Sequence, residues 1–274
     1  MLARGDDPPD PPVPGYARPG LPPPLVAVAH GSSDPRAAAT VGALLDQVRS
    51  RAAARGPAGL AVSAAFLGHA APSPRQALGA LPPGPVVVLP LLLTAAYHSK
   101  TDIPAALRAA ARAHSGRLDI RYGGTLGPHP LLLTALERRL AEAGVPAGDA
   151  DTSVVLAAAG SGDPAASAAV ARLATRWQAL RGWRAVVPAY ASAASPAPAQ
   201  AVAAQLAGGA RHVVVASYLL APGRFAGQVR DQALAAGADA VSAPLGAAPE
   251  LAGILLDRYA AALGTEDGTT ARIA

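Results

Sequence analysis

The chain has no cysteine, which removes disulfides, thiolate metal sites and cysteine nucleophiles from consideration. Aromatic residues make up only 4% of it, so it offers little surface on which nucleobases could stack. Lysine occurs once, at Lys100, and the net charge of +5 over 274 residues rests almost wholly on arginine. That charge is spread along the chain, so nucleic acid is not an expected partner. No apolar run reaches the roughly 18 residues of a membrane-spanning helix. Residues 1–24 hold nine prolines and no signal-peptide core. No Walker loop, GxGxxG, GxSxG or HExxH occurs. These absences leave a cytoplasmic protein with no membrane partner, and an unstructured leader over 1–24.

What is present is alanine, leucine and valine, in a chain that is 51% apolar. Leu25 to Ala29 reads as a buried parallel strand, ending in the turn His30-Gly31-Ser32-Ser33. Asp34-Pro35 then signals a helix start, and Val41, Leu44, Leu45 and Val48 recur at helical spacing. Further strands are expected over Leu60–Leu67, Val86–Leu93 and Leu118–Tyr122, and further helices over Pro74–Leu81, Asp102–Ala113 and from Pro130 to Ala143. This alternation implies an α/β fold with an open parallel sheet and flanking helices.

The first half then repeats. Ala29-His-Gly-Ser-Ser-Asp-Pro35 matches Ala158-Ala-Gly-Ser-Gly-Asp-Pro164, and Pro72-Ser-Pro-Arg-Gln76 matches Pro196-Ala-Pro-Ala-Gln200. Val86-Val-Val88 matches Val213-Val-Val215, and Leu126-Gly127 with Pro130 matches Leu245-Gly246 with Pro249. Two tandem, similar domains follow, 25–143 and 152–263, related by a pseudo-twofold with a cleft between them. Residues 144–151 are a linker and 264–274 an unstructured tail. In the second copy His30 becomes Ala159, His98 becomes Phe225 and His129 becomes Ala248. The repeat keeps the fold without the imidazoles, so the chemistry is expected in the first half.

An open parallel sheet binds its ligand beyond the carboxyl ends of its strands. His30 and His98 follow the first and third strands, adjacent in the common doubly wound order. One histidine in such a turn is usually a hydrogen-bonding turn residue. Two at matching turns, both lost in the repeat, point instead to metal binding or proton transfer. His69 and His129 are further candidates, while His114 and His212 fall on the opposite edge and read as structural or solvated. Gly31 and Ser32, before a helix, resemble an anion cradle. Lys100 and Arg36 are placed to meet carboxylates, and Tyr97 to stack on a flat ligand or cover the cleft edge. His-Gly after a strand also suits phosphotransfer through His30, but the arginine that chemistry wants beside the histidine is replaced by Ala29.

Ala29-His30-Gly31-Ser32 with Asp34-Pro35, Phe66-Leu67 with Ala71-Pro72-Ser73, Pro90-Leu91-Leu92, His98 with Asp102-Ile103-Pro104, and Leu126-Gly127 with His129-Pro130 together resemble the CbiX/SirB sirohydrochlorin chelatases. The resemblance is strong over 25–143, and 152–263 is similar to the degenerate half of the long, two-domain form. It implies insertion of Fe²⁺ or Co²⁺ into sirohydrochlorin, for siroheme or cobalamin synthesis. On that basis His30 and His98 are the metal-binding and proton-accepting pair. Substrate contacts are expected from Gly31, Ser32, Tyr97 and Lys100, with Arg36 and His129 as further candidates. The metal is a substrate and no cofactor is permanently bound. The chain would act as a monomer or homodimer. Where the family carries an acidic residue after Phe-Leu, this chain has Gly68, followed by His69. His69 as a third nitrogen ligand, or a site of two ligands and water, are the readings this leaves. The substitution also raises a second reading, a non-catalytic metal- or tetrapyrrole-binding protein descended from a chelatase.

Overall fold

In the computed structural model, which describes residues 20–114, 116–264 and 270–273, the run Leu25–Ala29 is strand β1, buried at all five positions. Side chains alternate across a strand, and here both faces are covered. Leu25, Ala27 and Ala29 join one core, Val26 and Val28 another. That is why a central parallel strand reads as an unbroken apolar run. The first half continues as α1 (Pro35–Arg55), β2 (Val62–Phe66), α2 (Pro74–Gly79), β3 (Gly84–Pro90), α3 (Ile103–Ala113), β4 (Leu118–Tyr122) and α4 (Leu131–Glu142). The second half is β5 (Thr152–Ala158), α5 (Pro164–Arg181), β6 (Ala185–Tyr190), α6 (Pro198–Ala207), β7 (His212–Tyr218), α7 (Arg224–Ala235), β8 (Ala240–Val241) and α8 (Pro249–Leu263), followed by β9 (Ala271–Ile273).

Two sheets result, ordered β2-β1-β3-β4-β9 and β6-β5-β7-β8. Among the described residues every strand pair is parallel except β4 with β9. Strand order changes direction at β1/β3 and at β5/β7, the switch points where such sheets open a crevice. The repeated motifs recur as repeated structure. Asp34 and Asp163 cap α1 and α5 by accepting the N–H of Arg36 and Ala165. Gln76 and Gln200 each reach back to the N–H of the residue that opens their helix, Ser73 and Ala197.

The two halves are not packed as separate domains, because they exchange their last helices. α8 lies on α1, β3 and β4 of the first half, and α4 lies on α8 and on β7 of the second. Leu132, Leu136 and Leu140 of α4 therefore share one core with Leu45 of α1, Leu156 of β5 and Leu251 of α8. An ion pair locks the exchange: Arg138 on α4 donates to Glu250 on α8 at 2.5 Å, with the glutamate side chain 8% exposed. The linker 144–151 thus divides the sequence and not the packing.

Four local expectations change. β3 ends at Pro90, so Leu91–Leu93 belong to the loop beyond the strand. A single π-helical turn, His98–Asp102, precedes α3, closed by the N–H of Ile103 donating to the carbonyl of His98. The expected tail is partly ordered, since β9 pairs antiparallel with β4 and buries Ile273. The end of the expected leader is likewise fixed: the carbonyl of Pro24 accepts from Val87 N–H, and that of Pro23 from the Tyr259 hydroxyl. Residues 1–19 of that leader, and 265–269 and 274 of the tail, lie outside the described residues. Among the described residues no helix is long and apolar enough to cross a membrane.

Candidate active site

His30 and His98 meet at the β1/β3 switch point. Their ring centroids are 4.6 Å apart and the ring planes cross at 70°. His30 stands on the first residue after β1, and His98 opens the π-helical turn eight residues beyond β3. Nδ1 of His98 lies 2.5 Å from Oδ2 of Asp102, and Nδ1 of His30 lies 3.2 Å from the carbonyl of Gly31. A carboxylate and a carbonyl can only accept, so in the neutral rings both Nδ1 atoms carry the proton. Each Nε2 then keeps its lone pair, and neither has a partner among the described residues. Such a pair can hold a cation or take up protons.

The rings open into a cleft of about 820 Å³ lined from both halves. Its first wall includes Gly31, Ser32, Leu91 and Tyr97; its second includes Gly160, Ser161, Leu219, Arg224 and Phe225. The two walls are near copies. Gly31 has φ 91° and Gly160 φ 90°, and a Cβ on either would lie 1.8 Å from a carbonyl, that of Gly68 or of Ser192. His69 and Ala193 also correspond, at φ 62° and 56°. Across the floor, the Tyr218 hydroxyl of the second half donates to the carbonyl of Leu93 at 2.9 Å. Burial pushes that phenol's pKa upward, which keeps it a proton donor.

The remaining expected residues fall into three groups. Gly31, Ser32 and Tyr97 line the cleft, and Tyr97 is 61% exposed with its ring 6.1 Å from that of His98. Lys100 sits at the mouth but is engaged: its Nζ donates to Asp163 Oδ2, the cap of α5, at 2.8 Å. That bond holds the Asp163 carboxyl below the usual range. Arg36 and His129 do not line the cleft. Arg36 folds back on Asp34, lowering the pKa of that carboxyl through the hydrogen bond. His129 faces α8, with Nε2 at 3.4 Å from Asp257 and Nδ1 accepting the N–H of Leu131. It lies in the turn between two prolines that leads into α4, the helix that the halves exchange. His114 and His212 are on the far edge, as expected, where they contact the Arg75 carbonyl and Asp239.

A family model, CbiX, matches residues 24–143 and again 153–262. The chain belongs to the CbiX family. Both halves match, which bears out the internal repeat. Among curated proteins, a sirohydrochlorin cobaltochelatase of Priestia megaterium is 31% identical over 142 residues, covering 50% of this chain and 45% of that protein. A sirohydrochlorin ferrochelatase of Bacillus subtilis (strain 168) is 36% identical over 112 residues, 40% of this chain and 41% of the relative. The chain thus matches less than half the length of either. SirB from Bacillus subtilis with Fe³⁺ superposes with a TM-score of 0.75 at 24% identity, covering 90% of this chain and 98% of SirB. A CbiX described as the terminal enzyme for biosynthesis of siroheme in denitrifying bacteria has a TM-score of 0.60 at 18% identity, over 88% and 99% of the two chains. These likenesses establish the fold: two parallel-sheet units flanked by helices.

Within this CbiX chain there is open space at Gly68, where the resemblance implies an acidic residue. A Cβ built on Gly68 meets nothing within 4 Å. His69 lines the cleft, yet among the described residues no three His, Asp or Glu side chains are grouped to hold a metal. The partner that residue-by-residue reading missed is Asp102. Expected only as the residue on which a helix opens, it has helical φ and ψ of −68° and −49° and makes no side-chain cap. Its signal was the four-residue spacing from His98, one helical turn.

Proposed function

We propose that this protein is a sirohydrochlorin chelatase that inserts Fe²⁺ or Co²⁺ into the metal-free macrocycle. The observation that carries this reading is the His30–His98 pair, 4.6 Å apart at the switch point, with both Nε2 lone pairs available. Insertion replaces two pyrrole N–H protons by one divalent ion. Neutral imidazoles can pass the ion to the ring and accept those protons, with general-base assistance worth about 10²–10⁴-fold. Asp102 fixes the His98 ring for that task. Gly31 and Ser32, which line the cleft, supply backbone N–H groups for substrate carboxylates in this reading, and Tyr97 borders the macrocycle. The named relatives divide between cobalt and iron, so both metals belong to the proposal. The cleft is lined from both halves of one chain, which supports action as a monomer or as a homodimer with one cleft per chain, and the cytoplasm is the compartment we propose for it.

Gly68 favours a second reading, a protein that binds metal or tetrapyrrole without inserting one into the other. The two separate in one experiment. Purified protein is mixed anaerobically with sirohydrochlorin and Co²⁺ or Fe²⁺, and the absorbance of the metallated product is followed. A rate above the spontaneous one supports the chelatase; binding with no acceleration supports the second reading.

A further inference from the structure

The second wall of the cleft carries two side chains that the chemistry at His30 and His98 leaves unused. Arg224 and Phe225 open α7, at the positions that Tyr97 and His98 occupy in the first half. The residue before them, Gly223, has φ 153°, and a Cβ there would lie 3.3 Å from Ser32 Oγ. The start of α7 is therefore set against the turn that carries His30. Tyr97 and Phe225, 61% and 39% exposed, are the two aromatic rings among the large exposed apolar side chains of the described residues, and both face this cleft. Arg224 is exposed, lines the cleft, and has no hydrogen bond or ion pair among the described residues. The cations expected to meet substrate carboxylates are committed elsewhere, Lys100 to Asp163 and Arg36 to Asp34. Arg224 is thus the one permanently charged side chain lining the main cleft among the described residues.

We propose that Arg224 and Phe225 are the substrate clamp of the second half. Phe225 lies against the face of the macrocycle opposite the imidazoles, and Arg224 pairs with its peripheral carboxylates. A guanidinium offers two parallel N–H bonds to a carboxylate, and an exposed ring gains by covering a flat apolar surface. This deepens the chelatase reading and rests on it. The repeat copy has exchanged its imidazole for a ring that can hold the substrate but cannot bind the metal. Because the clamp acts before and during insertion alike, its loss is expected in KM far more than in kcat.

The test is titration of the full chain with metal-free sirohydrochlorin, read by the absorbance of the tetrapyrrole. Wild type sets the reference affinity. Arg224→Ala and Phe225→Ala are each expected to bind about tenfold more weakly, the loss of one such contact. Arg224→Lys should recover part of the affinity, and Phe225→Leu less than Phe225→Tyr. Thermal melting checks that each variant is folded, which is expected since neither side chain is packed in the core. Binding by Arg224→Ala or Phe225→Ala within about twofold of wild type overturns the clamp while leaving the chelatase reading intact. A wild type that binds no sirohydrochlorin overturns that reading and the clamp with it.

Discussion

Asp102 accepts a hydrogen bond from Nδ1 of His98 at 2.5 Å, across one turn of the helical segment both residues share. The carboxylate sets which nitrogen of His98 is bare and where it points. Asp102→Ala is therefore expected to lower kcat/KM for metal insertion by about 10–100-fold, the usual cost of losing such an orienting partner. The melting temperature should stay near that of wild type, because the aspartate is partly exposed and caps nothing. Full activity in this variant would remove Asp102 from the account.

Gly31 and Gly68 make opposite forecasts from adjoining positions. Gly31→Ala would drive a Cβ to 1.8 Å from the Gly68 carbonyl at φ 91°. The expected loss is about 2–4 kcal/mol in urea unfolding. Gly68→Glu meets open space, so it should fold as wild type does. By restoring the family's carboxylate it should tighten Co²⁺ binding, as measured by calorimetric titration. Equal metal affinity with and without Glu at 68 would mean that the gap there is not part of the site.

Much of this was legible in the sequence, for identifiable reasons. β1 and His30 are legible because both faces of that strand are buried and because Asp34-Pro35 marks the helix beyond it. His98 was located, but not its helical setting. Pro104 in the first turn of α3 resembles a helix start, and the π-helical turn before it leaves no residue signature. The helix exchange was invisible for another reason. The apolar stripe of α4 states that a face is buried, not which sheet buries it. Nothing in the sequence marks Arg224, because the repeat sets the second half apart only by the histidines it lacks.

The exchanged helices make unfolding a joint event. Arg138→Ala leaves the Glu250 charge buried without its partner. The expected cost is about 1–3 kcal/mol, held to that range because Arg138 is half exposed. Trp177 and Trp183 lie in the shared core, where Trp177 donates to Glu137 of α4, so their fluorescence reports that core while circular dichroism reports the helices and sheets of both halves. The two signals should coincide in one urea transition, in the variant as in wild type. Separate transitions would contradict the single shared core.

His129 gives the fold a pH dependence of known sign. Burial lowers its pKa from the ordinary 6.5, against a smaller upward pull from Asp257. The unfolded ring thus binds protons that the folded ring resists, and stability present above pH 6.5 is lost as pH falls below it. Melting temperatures between about pH 7.5 and about pH 5 should fall less steeply in His129→Gln than in wild type. Parallel curves would show that this histidine does not contribute.

The most direct test of the account is metal insertion by wild type and by His98→Ala, side by side, with sirohydrochlorin and Co²⁺ or Fe²⁺ under anaerobic conditions. Wild type is expected to exceed the spontaneous rate, and His98→Ala to fall about 10²–10⁴-fold below wild type. The variant should keep its fold, as the second half does with Phe225 at the matching position. Wild type no faster than the spontaneous reaction, or a folded His98→Ala as active as wild type, would contradict the proposal that this histidine pair inserts the metal.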